Sequence, residues 1–226
     1  MSPSQAPLLP VVVLISGNGS NLQALIDAAR AGRVPIDIRA VISNRADAYG
    51  LTRAHEAGID TAVLPHRDYD SRDAYDRALI TLIDRYQPEL VVLAGFMRIL
   101  TDAFVEHYIG RLINIHPSLL PAFRGLNTHE RALTAAAGEH GCSVHYVVPE
   151  LDAGPVIVRA RVPILKDDSA TELAARVQVQ EHRIYPLAVK WIAEGRVVMR
   201  EDGAYKDGEP LDTPPTLDPE EPFEGF

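Results

Sequence analysis

Short apolar runs alternate with longer stretches of helical period along this chain. VVVLIS (11–16) is a run of strand length, and LQALIDAARAG (22–32) repeats its apolar residues at helical spacing before stopping at Gly32. IDIRAVIS (36–43) reads as a second strand, 46–57 as a helix and TAVL (61–64) as a third strand. Ser71 opens a long helix that must end before Pro88. LVVLAG (90–95) is almost wholly apolar, the mark of a central parallel strand covered on both faces. Thr101-Asp102 caps a short helix ahead of the strand in RLINIH (111–116). Thr128 opens another helix, which leads to the alternating CSVHYVV (142–148), and VIVRARVPI (156–164) is a further strand. Ser169 and Glu172 form a capping box at the head of a helix that reaches about Glu194. This order predicts an α/β, Rossmann-like domain: a mostly parallel sheet with helices on both faces and an antiparallel element among its later strands. No repeat or linker divides 11–200.

Composition adds a division. The net charge of −9 over 226 residues is concentrated at one end, where 201–226 hold nine acids against Lys206 alone. The first 200 residues carry 22 acids and 21 bases, which leaves no electrostatic case for a nucleic-acid partner. The acidic end also contains Pro210, Pro214, Pro215, Pro219 and Pro222, so 1–200 are expected to form a single catalytic domain and 201–226 a largely flexible tail. No apolar run approaches the ~18 residues needed to span a bilayer, and MSPSQAPLLP lacks the positive segment of a secretory leader. With Cys142 as the single cysteine, a cytoplasmic location is expected, and no metal-ligand spacing occurs among the eight histidines.

Candidate chemistry gathers at three places. Between the first strand and the first helix stands Ser16-Gly17-Asn18-Gly19-Ser20-Asn21, where glycines let the backbone approach a ligand and a helix N-terminus offers unpaired N–H groups. Leu22 occupies the third-glycine position of a dinucleotide fingerprint and no lysine follows, so a phosphomonoester fits better than NAD or ATP; the alternative is a plain strand-to-helix turn. Asn114 and His116 lie two apart at the end of a strand and share a face, while Ile115 turns into the core. Asp152, in the later loop PELDAGP, can bring a carboxylate to that imidazole. An amide, an imidazole and a carboxylate together suit a reaction that develops negative charge on a carbonyl oxygen, as acyl or formyl transfer does. His145 and Ser143 alternate on the preceding strand and either face this cleft or sit in the core. The third place is Gly95-Phe96-Met97-Arg98-Ile99-Leu100, an apolar loop with one charge that suits a flat heterocycle or, more simply, connects a strand to a helix.

ISGNGSNLQALI (15–26), VVLAGFMRIL (91–100), LINIHPSLLP (112–121), HGCSVHYVVPELDAGPVI (140–157) and VQVQEHRIYP (177–186) together resemble, in order and spacing, the folate-dependent phosphoribosylglycinamide formyltransferases over 11–200. The resemblance implies a seven-stranded formyltransferase fold. It also implies transfer of a formyl group from 10-formyltetrahydrofolate to the amine of phosphoribosylglycinamide (GAR) in purine synthesis, with no metal, no nucleic acid, no membrane and a monomer or homodimer. Residue by residue, it implies Asn114, His116 and Asp152 as the catalytic trio. Gly17, Asn18, Gly19, Ser20, Asn21, Pro117, Gln178 and Glu181 then serve the GAR site. Arg72, Met97, Arg98, Ile99, Leu100, Val148, Pro149, Glu150 and Asp152 serve the folate site, with Arg72 and Arg98 toward the folate glutamate. The chain departs from the pattern at Asn127, where some relatives have histidine, and at Pro149, where some have an acid.

Three other functions remain on the sequence. A formyltetrahydrofolate deformylase would use the same donor but carries an extra N-terminal domain, whereas ten residues precede the first strand here. A methionyl-tRNA formyltransferase would need a nucleic-acid-binding domain in place of the acidic end. A binding module without catalysis would not need the three polar types to converge.

Overall fold

The computed structural model describes residues 7–222. The first half winds as the hydrophobic pattern predicts: β1 (Leu9–Ile15), α1 (Ser20–Arg30), β2 (Ile36–Ser43), α2 (Tyr49–Glu56), β3 (Asp60–Val63), α3 (Arg72–Asp84), β4 (Leu90–Leu93), α4 (Asp102–His107) and β5 (Leu112–His116). Then follow α5 (Thr128–Thr134), β6 (Glu139–Tyr146), β7 (Val156–Pro163) and α6 (Ala170–Ala193). Ser71 and Thr101 cap their helices by accepting from Ala74 N and Phe104 N, and the capping box of Ser169 and Glu172 is complete. β4 is shorter than the apolar run, because Gly95 takes a φ of +75° and turns the chain out of the sheet.

The main sheet has the order β3-β2-β1-β4-β5-β6-β7 plus an eighth strand, β11 (Thr216–Leu217), where seven strands were expected. β1 to β5 run parallel, and β6 is antiparallel to both β5 and β7. Side chains alternate between two cores. Val11, Val13 and Ile15 join Leu22, Leu25, Ile184 and Val189 beneath α1 and α6, while Val12 and Leu14 join Tyr75, Leu79 and Phe104 beneath α3 and α4. The chain direction reverses its walk at β1, which lies between β2 and β4, so the loops after β1 and β4 open side by side at the strand ends.

The acidic segment expected to be a flexible tail instead builds structure as far as it is described. β8 (Val197–Arg200), β9 (Gly203–Lys206) and β10 (Glu209–Pro210) form a small antiparallel sheet, with Asp207 and Gly208 both at positive φ in the second turn. Thr216 and Leu217 pair with Arg159 and Ala160 along the free edge of β7, and Arg159 N donates to Pro215 O at 2.8 Å. Arginines of the body hold the segment: Asp218 forms an ion pair with Arg161 at 2.5 Å, and Arg183 donates to the backbone carbonyl of Glu221 at 2.6 Å. Backbone pairing to an open edge and partner arginines are what composition alone does not count. No helix among the described residues is long and apolar enough to cross a membrane.

Candidate active site

Asn114 and His116 stand at the end of β5, next to the end of β4, and the buried Ile115 faces the core between them. His116 is nearly buried. Its Nε2 lies 3.0 Å from the Phe123 carbonyl, which can only accept, so Nε2 carries the proton. Nδ1 faces Asp152 Oδ2 at 3.5 Å. Asp152 adopts φ +50°, a left-handed conformation that Asp tolerates better than most residues, and the Gly125 N–H fixes its carboxylate at 2.9 Å. The loop can pass this close only because of Gly154, where an added Cβ would lie 1.8 Å from the Tyr146 carbonyl oxygen.

His145, left open by the sequence, belongs to this cluster. Its Nδ1–H donates to the Tyr146 carbonyl at 2.8 Å, so Nε2 is a lone pair that accepts from Asn114 Nδ2 at 3.3 Å. Burial pushes the imidazole down to about 4, outweighing Asp152, whose Oδ1 at 3.8 Å favours the proton. We therefore read His145 as a neutral orienter of Asn114 and not as half of an ion pair. Ser143 turns the other way: its Oγ accepts from Leu120 N at 3.0 Å and donates to Ser118 O at 2.7 Å, fixing the turn after β5. Behind that turn, His140 Nε2 meets His129 Nδ1 at 3.1 Å, and burial pushes His140 down to about 4. Asn127 caps the neighbouring helix in a left-handed conformation at φ +55°.

The loop after β1 is fixed by its neighbours. Gly19 has φ +74°, and an added Cβ would lie 2.7 Å from Gly50 Cα, so the two glycines pack back to back. Gly50 N donates to Gly17 O at 3.0 Å. From α6, Gln178 donates to Ser20 Oγ at 3.1 Å, and Glu181 accepts from Asn21 Nδ2 at 2.9 Å. Burial raises the Glu181 carboxyl, with the Asn21 hydrogen bond opposing it. Residues more than 150 positions apart thus meet at this loop, and Pro117 directly follows His116.

The loop after β4 is different in kind. Met97 is 72% exposed and Ile99 65%, while Leu100 packs on the α3–α4 core. Arg98 lies 5.4 Å from the centroid of the Tyr75 ring, with its Nε buried and unpartnered. Arg72, at the first turn of α3, is exposed and makes no hydrogen bond or ion pair among the described residues. Val148 and Pro149 lead into the same loop as Asp152, and Glu150 pairs with Arg124 at 2.7 Å. Ser16 fastens this whole side, because its Oγ accepts from Met97 N at 2.8 Å and donates to Asn44 Oδ1 at 2.6 Å. The glycine-rich motif contains Ser16 without marking this role, and Asn44, the residue after β2, carries no local signal in the sequence. Among the described residues no cluster of three His, Cys, Asp or Glu side chains is arranged to hold a metal ion.

The family model "Formyl transferase" matches residues 9–189. The phosphoribosylglycinamide formyltransferase of Escherichia coli is 59% identical over 201 residues, covering 89% of this chain and 95% of that one. The human trifunctional purine biosynthetic protein adenosine-3 is 45% identical over 193 residues, 85% of this chain and 19% of that protein. The solved phosphoribosylglycinamide formyltransferase of Coxiella burnetii superposes with a TM-score of 0.89 at 55% identity, covering 93% of this chain and 99% of that chain. The matched residues include both loops, the end of β5 and the α6 contacts, so the chain belongs to the formyl transferase family and, within it, to the phosphoribosylglycinamide formyltransferases.

Proposed function

We propose that the cleft transfers the formyl group of 10-formyltetrahydrofolate directly to the amine of GAR, with Asn114, His116 and Asp152 as its catalytic residues. The observation that carries the reading is the meeting of His116 with Asp152 and the hydrogen bond that orients Asn114, at the end of the strand next to β4, whose loop exposes apolar side chains. The GAR phosphate lies on Gly17 to Asn21, with Gln178 and Glu181 toward its ribose and Pro117 beside the amine. The folate lies between Met97 to Leu100 and Val148 to Asp152, its glutamate toward Arg72 and Arg98.

In the reaction the amine nitrogen bonds to the formyl carbon, the carbonyl oxygen becomes an oxyanion, and the carbon–nitrogen bond to the folate then breaks. Asn114 Nδ2 and an N–H of His116 stabilise the oxyanion, an effect typically worth ~3 kcal/mol per donor. The Nε2–H now given to the Phe123 carbonyl is a donor available for exchange. Asp152 takes the amine proton, through a water, for delivery to the leaving nitrogen. The reaction needs no formyl-enzyme. We place the enzyme in the cytoplasm and assign catalysis to the first 200 residues, with the acidic segment as an edge cover.

The test is donor consumption with and without GAR, followed by the absorbance of the folate. Transfer requires consumption to depend on GAR and to yield formyl-GAR. Equal consumption without GAR, with release of formate, would establish hydrolysis instead.

A further inference from the structure

Arg53, on α2, grips the loop after β1 from outside. Its Nε donates to the Asn18 carbonyl at 2.9 Å, one terminal nitrogen donates to Asn18 Oδ1 at 2.8 Å, and the other donates to Gln23 Oε1 at 3.2 Å. The guanidinium also lies 4.8 Å from the centroid of the Tyr49 ring. The same helix touches the loop through Gly50, by the hydrogen bond to Gly17 and the contact with Gly19, so the loop and the base of the Arg53 side chain form one braced unit.

The acceptors of Arg53 are all neutral, and no described carboxylate oxygen lies within 4.0 Å of its guanidinium. Other arginines of this molecule sit against carboxylates, as in Arg45 with Asp47, Arg124 with Glu150 and Arg176 with Asp168. A cation held by neutral dipoles keeps its charge for an incoming anion, whereas one in an ion pair has largely spent it. Arg53 and Ser20 line one cavity of about 550 Å³ between α1 and α6. Asp27 lines it too, with Arg33 and Arg183. The charge of Arg53 is felt there: after burial, it is what lowers the His182 imidazole.

We propose that Arg53 is a positioning residue for a phosphomonoester dianion bound at this loop. Its fork holds Asn18 so that the loop N–H groups converge on the phosphate, and its unneutralised charge draws the dianion in. This rests on the reading of the loop as the acceptor's phosphate cradle. It adds a residue from a different helix, which no periodicity or motif in the sequence marks.

The experiment compares Arg53→Gln and Arg53→Lys with the parent on two acceptors, GAR and its dephosphorylated nucleoside. Arg53→Gln should raise KM for GAR by about tenfold or more, since charge-assisted contacts are the strong ones. It should leave KM for the nucleoside and for the donor nearly unchanged. Inorganic phosphate, as a competitor of GAR, should inhibit this variant more weakly, and the fall of kcat/KM with added salt should flatten. Arg53→Lys keeps the charge and loses the fork, so it should retain the salt dependence while KM for GAR rises by a smaller factor. Equal losses on both acceptors would overturn the proposal and leave Arg53 a purely structural brace. If Arg53→Gln does not fold, Arg53→Lys decides by the same comparison. A parent that does not distinguish the two acceptors would remove the phosphate reading of the loop itself, and the role of Arg53 with it.

Discussion

The loops after β1 and β4 leave neighbouring strands at the same end of the sheet, yet they are built in opposite ways. The first holds its shape through backbone and short polar contacts: a left-handed Gly19 against Gly50, Gly50 N on Gly17 O, Asn21 on Glu181 and Gln178 on Ser20. The second is anchored at its root by Ser16 and then presents Met97 and Ile99 to solvent. The physical demands differ. A small dianion is recognised by a few N–H groups at fixed distances, which calls for a stiff frame, whereas a flat heterocycle is recognised by area, which calls for exposed apolar side chains. Asn114 and His116, proposed as reacting groups, lie on the next strand, β5, and belong to neither loop.

The proposed reacting groups beside them give the largest expected effect. Asp152→Asn should keep the fold and bind both ligands yet lose turnover by ~10² to 10⁴, the usual worth of general acid–base assistance. Steady-state rates alongside thermal melts check this, and near-parental turnover would refute the role of Asp152.

Breaking the stiff loop and trimming the apolar one should then give opposite signatures. Gly19→Ala forces a side chain into a left-handed conformation costing roughly 1–2 kcal/mol, before the contact with Gly50 is counted. It should lower the melting temperature and raise KM for GAR. Met97→Ala removes exposed surface, so stability should stay within about 0.5 kcal/mol while KM for the donor rises. The contrast between the loops fails if both variants melt alike.

A smaller, pH-dependent effect comes from the ground beneath the centre. His140 and His145 are each held down to about 4 by burial, below the ordinary histidine value. Between about 6.5 and 4 the unfolded chain therefore binds more protons at these positions than the folded one. Their neutral burial is fully compatible with folding above that window, and stability should fall as pH drops through it. Denaturation midpoints from pH 7 to 4 test this. The variant His140→Asn should show a shallower slope, and an unchanged slope would mean that other groups set the acid sensitivity.

The smallest effect is expected where charge is most conspicuous. Asp218 and Arg161 are both about half exposed, so Asp218→Ala should barely move the melting temperature in moderate salt. Deleting 211–222 removes β11 and the cover it gives β7, and should lower the melting temperature measurably while leaving KM for GAR and donor in place. A truncated chain that melts like the parent would show that the eighth strand adds nothing to stability.

How much of this was legible before folding depends on distance along the chain. The helix from Ser169, the buried β4 run and the shared face of Asn114 and His116 are written within a few residues by capping, apolar continuity and period two. The strands of the acidic segment are not legible from composition, which leaves its turn chemistry out of account. Asp207-Gly208 is a hairpin signal of the ordinary kind, and it stands in the sequence. β11 is only two residues long and has no period to read, so nothing local distinguishes it from a loop.

The sequence by itself determined the order of strands and helices, the strand-end placement of Asn114 and His116 and the glycine-rich turn, because each follows from the steric and hydrogen-bonding preferences of adjacent residues. The tertiary structure alone decided that His145 stays neutral and aims Asn114, that Arg53 reaches Asn18 from another helix, that Ser16 ties one loop to the other, and that the C-terminal segment covers the edge of β7. Burial, field and strand pairing depend on which distant residues become neighbours, and only the folded chain specifies them.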